Sequence, residues 1–349
     1  MHKLVSVIIP CFNAHNWVAE AIDSCLHQTY PHIEIIVIDD GSTDDSLKVI
    51  KRYGDRIIWE TGENRGGNHA RNRGFHLAKG DYIQYLDADD YILPEKIQRH
   101  IETLETTNAD VVYGDWRYQY HASDGSISLG DIQICGPKDD FLESLLANEQ
   151  WTPPVALLFK RSAIVNQDWD ETLKSGQDRD FLISLAVKGA QFVYQSGCYA
   201  IYRRHSRQTA STLSKLRLLT QHCRIMEKAE YQLTQLDKLS DTYRQALATA
   251  YVGFGRFYLY GDYPSLSTKR YIRYLRVLDK ALSLSPEFQA KPRSVMYVPL
   301  QRILGCRRTE KLAYFISNVK ARFLRLRSKR SPLSTTTSTL PPKQPIDIY

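Results

Sequence analysis

The chain of 349 residues is marked first by what it lacks. No apolar run approaches the ~18 residues that a membrane-crossing helix needs. The apolar stretch near the start, residues 5–9, is too short for a secretory leader, and no small-residue cleavage site follows it. Cysteine is sparse: Cys11, Cys25, Cys135, Cys198, Cys223 and Cys306 are scattered and form no CxxC pair. That argues against a zinc ribbon and against a disulfide-dense scaffold. No Asn-x-Ser/Thr acceptor site occurs, and a cytoplasmic, reducing setting is the expectation. No GxGxxG follows a strand-like run and no Gly-x4-Gly-Lys-Ser/Thr loop exists, which disfavours dinucleotide-dependent oxidoreductases and P-loop nucleotidases.

What is present is ordinary for a globular protein, with 43% hydrophobic and 24% charged residues. That suffices for a sizeable core in about two domains. The net charge of +7 is unevenly spread. Residues 291–330 hold 12 Lys/Arg against one acid, Glu310, and the tail 331–349 is neutral, which leaves −4 on residues 1–290. An acidic main body argues against nucleic-acid binding, which needs a basic face. A local basic element suits an anionic surface instead.

Strand-like and helical patterns alternate over the first 115 residues. Apolar runs at 5–9, 33–38, 57–59, 82–86 and 111–113 are separated by helical spacing at 17–26, 67–78 and 94–106. Ser42 with Asp45 suggests a capping box opening a helix through about Tyr53. The βαβαβαβαβ order predicts an α/β fold, a doubly wound, mostly parallel sheet covered by helices on both faces. Short runs at 155–159, 192–194 and 198–202 suggest added strands, and 178–188 reads as a helix. From 213 to 284 the pattern is helical, with a break at Asp262-Tyr263-Pro264. The expected division is a first domain at 1–210, a helical extension at 211–327 and a low-complexity, disordered tail at 328–349.

In an open parallel sheet, ligands bind beyond the carboxyl ends of the strands. Three of these ends carry polar residues: Pro10-Cys11-Phe12-Asn13, Asp39-Asp40-Gly41-Ser42 and Asp87-Ala88-Asp89-Asp90. Gathering so many carboxylates on one rim is costly unless a cation is present. Mn²⁺ or Mg²⁺, which take oxygen ligands together with substrate phosphates, fit that need. The segment Asn64 to Gly74 adds glycines and three arginines near a helix start, a plausible anion-binding element.

Taken in order and spacing, these motifs together with Gly176-Gln177-Asp178-Arg179-Asp180 resemble the inverting glycosyltransferases of family 2, whose fold is called GT-A. The resemblance covers about residues 4–205. It implies a nucleotide site formed by Pro10, Phe12, Asn13, Asp39, Asp40, Gly66, Arg71 and Asp87. It implies a metal, Mn²⁺ or Mg²⁺, on Asp87 and Asp89, with His205 completing that site and Arg204 beside the diphosphate. The general base of the family matches Asp178, preceded here by Gln177 where the family usually has Glu; Asp180 is the weaker candidate. Trp151 suggests a stacking surface for the acceptor sugar. The implied activity is transfer of a sugar, most simply a hexose, from a nucleotide-diphosphate sugar (a UDP-sugar first) to a hydroxyl. The acceptor class would be a glycan or lipid-linked glycan in polysaccharide, glycolipid or cell-envelope synthesis.

Residues 311–327 place Leu312, Phe315, Ile316, Val319, Phe323 and Leu326 on one helical stripe flanked by Lys311, Lys320, Arg322 and Arg327. That pattern suits a helix lying in a membrane interface, at the inner face of the membrane. Two rivals stand beside the transferase: a sugar-nucleotide pyrophosphorylase, which would need a Gly-rich loop where Pro10–Asn13 stands, and a non-catalytic sugar-nucleotide-binding partner in an assembly complex.

Overall fold

The apolar runs of the first half become strands of one sheet because each is flanked by an amphipathic helix that covers it. The computed structural model describes residues 3–149, 151–205, 214–260, 268–290 and 297–328. The chain divides into two compact units: Met1–Leu145 with Gln150–Leu213 and Tyr231–Leu233, and Leu146–Glu149 with Ser214–Glu230 and Thr234–Tyr349.

In the first unit, β1 (Val5–Cys11), α1 (Val18–Leu26), β2 (Ile33–Asp39), α2 (Ser46–Lys51), β3 (Ile58–Thr61), α3 (Gly67–Leu77) and β4 (Tyr82–Tyr85) follow the alternation expected. The strands lie in the order β3-β2-β1-β4, all parallel. Helix α3 packs so closely on β1 that a Cβ on Gly74 would stand 2.4 Å from Ile8 Cγ2; only glycine fits there.

Beyond β4 the chain continues through β5 (Tyr91–Ile92), α4 (Lys96–Thr107), β6 (Val111–His121), β7 (Ile127–Gln133), α5 (Phe141–Leu146), β8 (Leu157–Lys160), α6 (Arg161–Ile164), α7 (Gln177–Val187) and β9 (Phe192–Arg204). The sequence order suggests that the run at 111–113 would continue the parallel series, and β6 does keep the direction of β1–β4, but it does not lie next to β4. Strand β8 lies between β4 and β6, antiparallel to both. The sheet is therefore mixed, with β9 parallel to β6 and β5 antiparallel on the outer side of β9. A four-residue apolar run carries no information about its own direction, so tertiary packing decides it.

The capping box expected at Ser42 and Asp45 does not form. Helix α2 starts at Ser46 with no side-chain bond from Asp45. The Ser42 hydroxyl oxygen instead accepts the N–H of Asn13 at 3.0 Å. A tertiary partner across the loop has displaced the local one.

The second unit holds α8 (Lys215–Gln235), α9 (Asp241–Gly255), α10 (Thr268–Leu284) and α11 (Tyr297–Ser328). Ser240 caps α9 by accepting the N–H of Tyr243. Glu310 is fully buried and takes hydrogen bonds from Arg256 and Tyr297, so its charge is both paired and hydrogen-bonded. Helix α11 kinks at Gly305, where φ is 74°. The break expected at 262–264 and the tail from 329 lie outside the described residues, as do the side chains of Lys320, Arg322, Phe323, Leu326 and Arg327. Among the described residues no helix is long and apolar enough to cross a membrane. All six cysteines are free thiols.

Candidate active site

Parallel register aligns the strand ends: Cys11 pairs with Asp39 and Asp39 with Thr61. Asp39 is buried, and its Oδ2 accepts the Thr61 hydroxyl at 2.6 Å. Asp40, one residue on, accepts the backbone N–H groups of Arg65 and Gly66, each at 2.8 Å. Both of its oxygens thus brace the turn before α3. That turn needs Gly66, whose φ of 101° is closed to most side chains. Asn13, at φ 51°, accepts the N–H of Thr43 at 2.8 Å. The loops after β1 and β2 are thereby clamped together, with Pro10 half-buried at the end of β1 and Phe12 left 43% exposed.

The acids after β4 each meet a different partner. Arg71, on α3, donates Nη2 to Asp87 Oδ1 at 2.5 Å and Nη1 to Asn68 at 3.1 Å, while its guanidinium lies 4.7 Å over the Trp169 ring. Asp89 Oδ2 is 3.0 Å from His205 Nε2, and the imidazole stacks on Trp17 at 5.0 Å. Asp90 is buried; its Oδ1 accepts the N–H of Arg203 at 2.8 Å. Burial raises the pKa of Asp90 well above the ordinary carboxylate value, and the charges of Asp89 and Asp87 push it further. Asp87 is raised by the same cause, with Arg71 pulling against it and Asp89 and Asp178 adding to it.

Asp178 is the second residue of α7, half-buried, while Asp180 is 3% exposed on the inner side of the same turn. Trp151 donates its indole N–H to Asp178 Oδ2 at 2.6 Å. Of the three arginines at 65–73, Arg71 alone is bonded to one of the acids after β4; Arg73 is held by both oxygens of Glu60 and Arg65 lies 3.7 Å from Glu171. The Arg204 guanidinium lies over the rings of Tyr118 and Tyr202 at 5.2 and 5.4 Å.

Sequence reasoning missed the residue that ties this rim together. Arg203 is fully buried between the rings of Trp17 and Tyr91, 4.6 and 5.1 Å from them. It donates to the Asp89 carbonyl at 2.8 Å, to Glu20 at 2.6 Å and to Gln119 at 3.2 Å. Its place beside Arg204 and His205 was visible in the sequence; its inward direction was not. Two clefts of about 250 and 570 Å³ open on the opposite edge of the sheet, beside Lys188 and beside Asp81, and touch none of these acids.

The donor set suits a hard divalent cation. Among the described residues no three His, Cys, Asp or Glu side chains form a complete cage. Asp89 and His205 supply a carboxylate and an imidazole, and an ion of this class needs only one or two protein groups when substrate phosphates provide the rest. Asp87 is engaged by Arg71 on one oxygen, which makes Asp89 with His205 the better-suited pair.

Comparison with known proteins agrees with this architecture. The sequence profile of Glycosyl transferase family 2 matches residues 6–130. The matched stretch runs from β1 into β7. Glycosyltransferase GlyG of Streptococcus pneumoniae serotype 4 is 38% identical over 130 residues, 36% of this chain and 43% of that protein. An uncharacterized glycosyltransferase of Rickettsia bellii is 31% identical over 227 residues, 61% of this chain and 31% of that one. The chain thus spans less than half the length of these relatives. Residues 1–349 of S. aureus TarS, solved in complex with UDP-GlcNAc, superpose with a TM-score of 0.65 at 18% identity, covering 92% of each chain. At that identity the likeness speaks for the fold, and the fold is GT-A with an appended helical region.

Proposed function

We propose that the chain is an inverting glycosyltransferase that moves a hexose from a nucleotide-diphosphate sugar, a UDP-sugar first, to an acceptor hydroxyl of a glycan or lipid-linked glycan. One observation carries this reading: Trp151, which donates to Asp178, packs edge-on against Tyr202, the ring under Arg204 and next but two in sequence to His205, while Arg71 holds Asp87 and His205 meets Asp89. The candidate base and the candidate diphosphate site thus have the Tyr202 ring as a common neighbour. The family match and the UDP-GlcNAc seen in TarS support the donor class.

In this mechanism Asp39 with Thr61, and Phe12 with Pro10 and Asn13, receive the nucleoside, while Asp40 keeps Gly66 and the start of α3 against the diphosphate. Arg204 balances phosphate charge. Asp89 and His205 would hold Mn²⁺ or Mg²⁺, which would neutralise the leaving diphosphate as a Lewis acid. Asp178 takes the acceptor's proton as the new C1–O bond forms and the C1–O bond to phosphate breaks, on the opposite face of the sugar. The nucleoside diphosphate leaves with the electron pair.

The experiment is a panel of UDP-, GDP- and dTDP-sugars assayed for nucleoside diphosphate release with Mn²⁺, with and without chelator. Release that chelation abolishes supports the reading. Binding without any turnover, for the wild type and Asp178→Asn alike, would favour the assembly-partner alternative.

The exposed side of α11 supports a membrane role as part of the same proposal. Phe315 and Ile316 are 65% and 43% exposed, and Arg307, Arg308 and Lys311 are exposed near them. An apolar strip edged by cations fits an anionic bilayer surface, where lipid-linked acceptors would be met. Flotation with phosphatidylglycerol vesicles should weaken in a Phe315→Asp/Ile316→Asp double variant; equal flotation would refute this part alone.

A further inference from the structure

We infer that Trp151 is a positioning residue for Asp178, acting through its indole N–H rather than as a stacking platform for the acceptor. The inference rests on the reading of Asp178 as the base. The contact is direct, with Nε1 donating to Oδ2 at 2.6 Å across 27 residues of chain. The other carboxylate oxygen accepts the N–H of Arg179 at 2.9 Å. Each oxygen of Asp178 is thus tied by one donor, which fixes the carboxylate plane.

The indole itself is held by rigid elements. Its ring meets Trp116 edge-on, centroids 5.0 Å apart, and Tyr202 edge-on at 5.5 Å. Trp116 is 3% exposed on β6 and Tyr202 lies on the neighbouring β9. The N–H is therefore aimed by two strands of the sheet, while the base rides on α7, which enters through Gly176 at φ 69°. Trp151 connects the helix that carries the base to the sheet that carries the acids. A carboxylate that must meet an incoming hydroxyl in line with the reacting carbon gains from such fixation, because a displacement of about 1 Å can cost as much as ~10²-fold in rate.

Trp151→Phe removes the donor and keeps the apolar ring; Trp151→His keeps a ring N–H. Turnover is read as UDP released from UDP-N-acetylglucosamine, UDP-glucose or UDP-galactose with Mn²⁺, and donor-site integrity as UDP affinity by calorimetry. Trp151→Phe is expected to lower kcat by ~10-fold or more with UDP affinity unchanged, Trp151→His to recover part of it, and Trp151→Phe to add little in an Asp178→Asn background. Full kcat in Trp151→Phe, or a loss that multiplies with that of Asp178→Asn, overturns the inference. So does a loss of UDP affinity in both the Phe and His variants, which would mark a merely structural tryptophan. If Asp178→Asn itself keeps full turnover, the reading of the base fails first; if Asp178→Asn is impaired and Trp151→Phe is not, only this inference falls.

Discussion

Asp89 and His205 stand 116 positions apart in the chain and 3.0 Å apart in space, Oδ2 to Nε2. The strand-end acid and the residue after the last strand meet because β9 runs parallel to β6 and ends beside the loop that follows β4. His205→Ala should raise the Mn²⁺ concentration needed for half-maximal turnover by ~10-fold or more, and Asp89→Asn should raise it further. Metal titration of sugar-nucleotide turnover reads both, and an unchanged midpoint in both variants would remove the pair from the metal site.

Asp178→Asn should lower turnover by ~10²-fold or more, because an amide cannot accept the acceptor's proton. Calorimetry with UDP should give wild-type affinity. Parallel loss of UDP binding would contradict the assignment.

Arg203→Gln removes a fully buried guanidinium that bonds Asp89, Glu20 and Gln119. Glu20 is half exposed and can return to water, so the cost is the lost charge-assisted bonds and the space between two rings, about 2–3 kcal/mol. Urea denaturation measures it. The same variant should weaken metal dependence, since the Asp89 carbonyl loses its anchor.

Asp44 sets a pH limit on the loop after β2. Burial pushes its pKa up, but hydrogen bonds from Ser46 and His15 outweigh burial and bring it from 3.8 to about 2. The folded state therefore binds fewer protons than the unfolded state, and the contribution of Asp44 is complete above pH 3.8 and lost as pH falls toward about 2. Asp44→Asn should be destabilising at pH 6 and nearly neutral at pH 2, by denaturant unfolding at the two pH values.

Gly74→Ala should destabilise by about 1–3 kcal/mol, because the new methyl would sit 2.4 Å from Ile8 Cγ2 across the α3–β1 contact. A thermal melt in the absence of ligand tests this, and an unchanged midpoint would mean that α3 moves away without cost.

The sequence by itself determined the alternation of strand and helix through β4, and with it where the polar strand ends fall. Period and punctuation encode those features locally: β-branched runs, helical spacing, and acids or glycines at the breaks. It did not determine that β8 would enter between β4 and β6, that Ser42 would leave its helix for Asn13, or that Trp151 would turn its N–H to Asp178. Nor did it reveal that Arg203 rather than Arg204 would be buried beneath the acids. These depend on strand direction and register, which short apolar runs leave free, and on which partner a polar group meets once the chain is packed. A buried donor takes the nearest acceptor in space, and only the tertiary structure decides what is near.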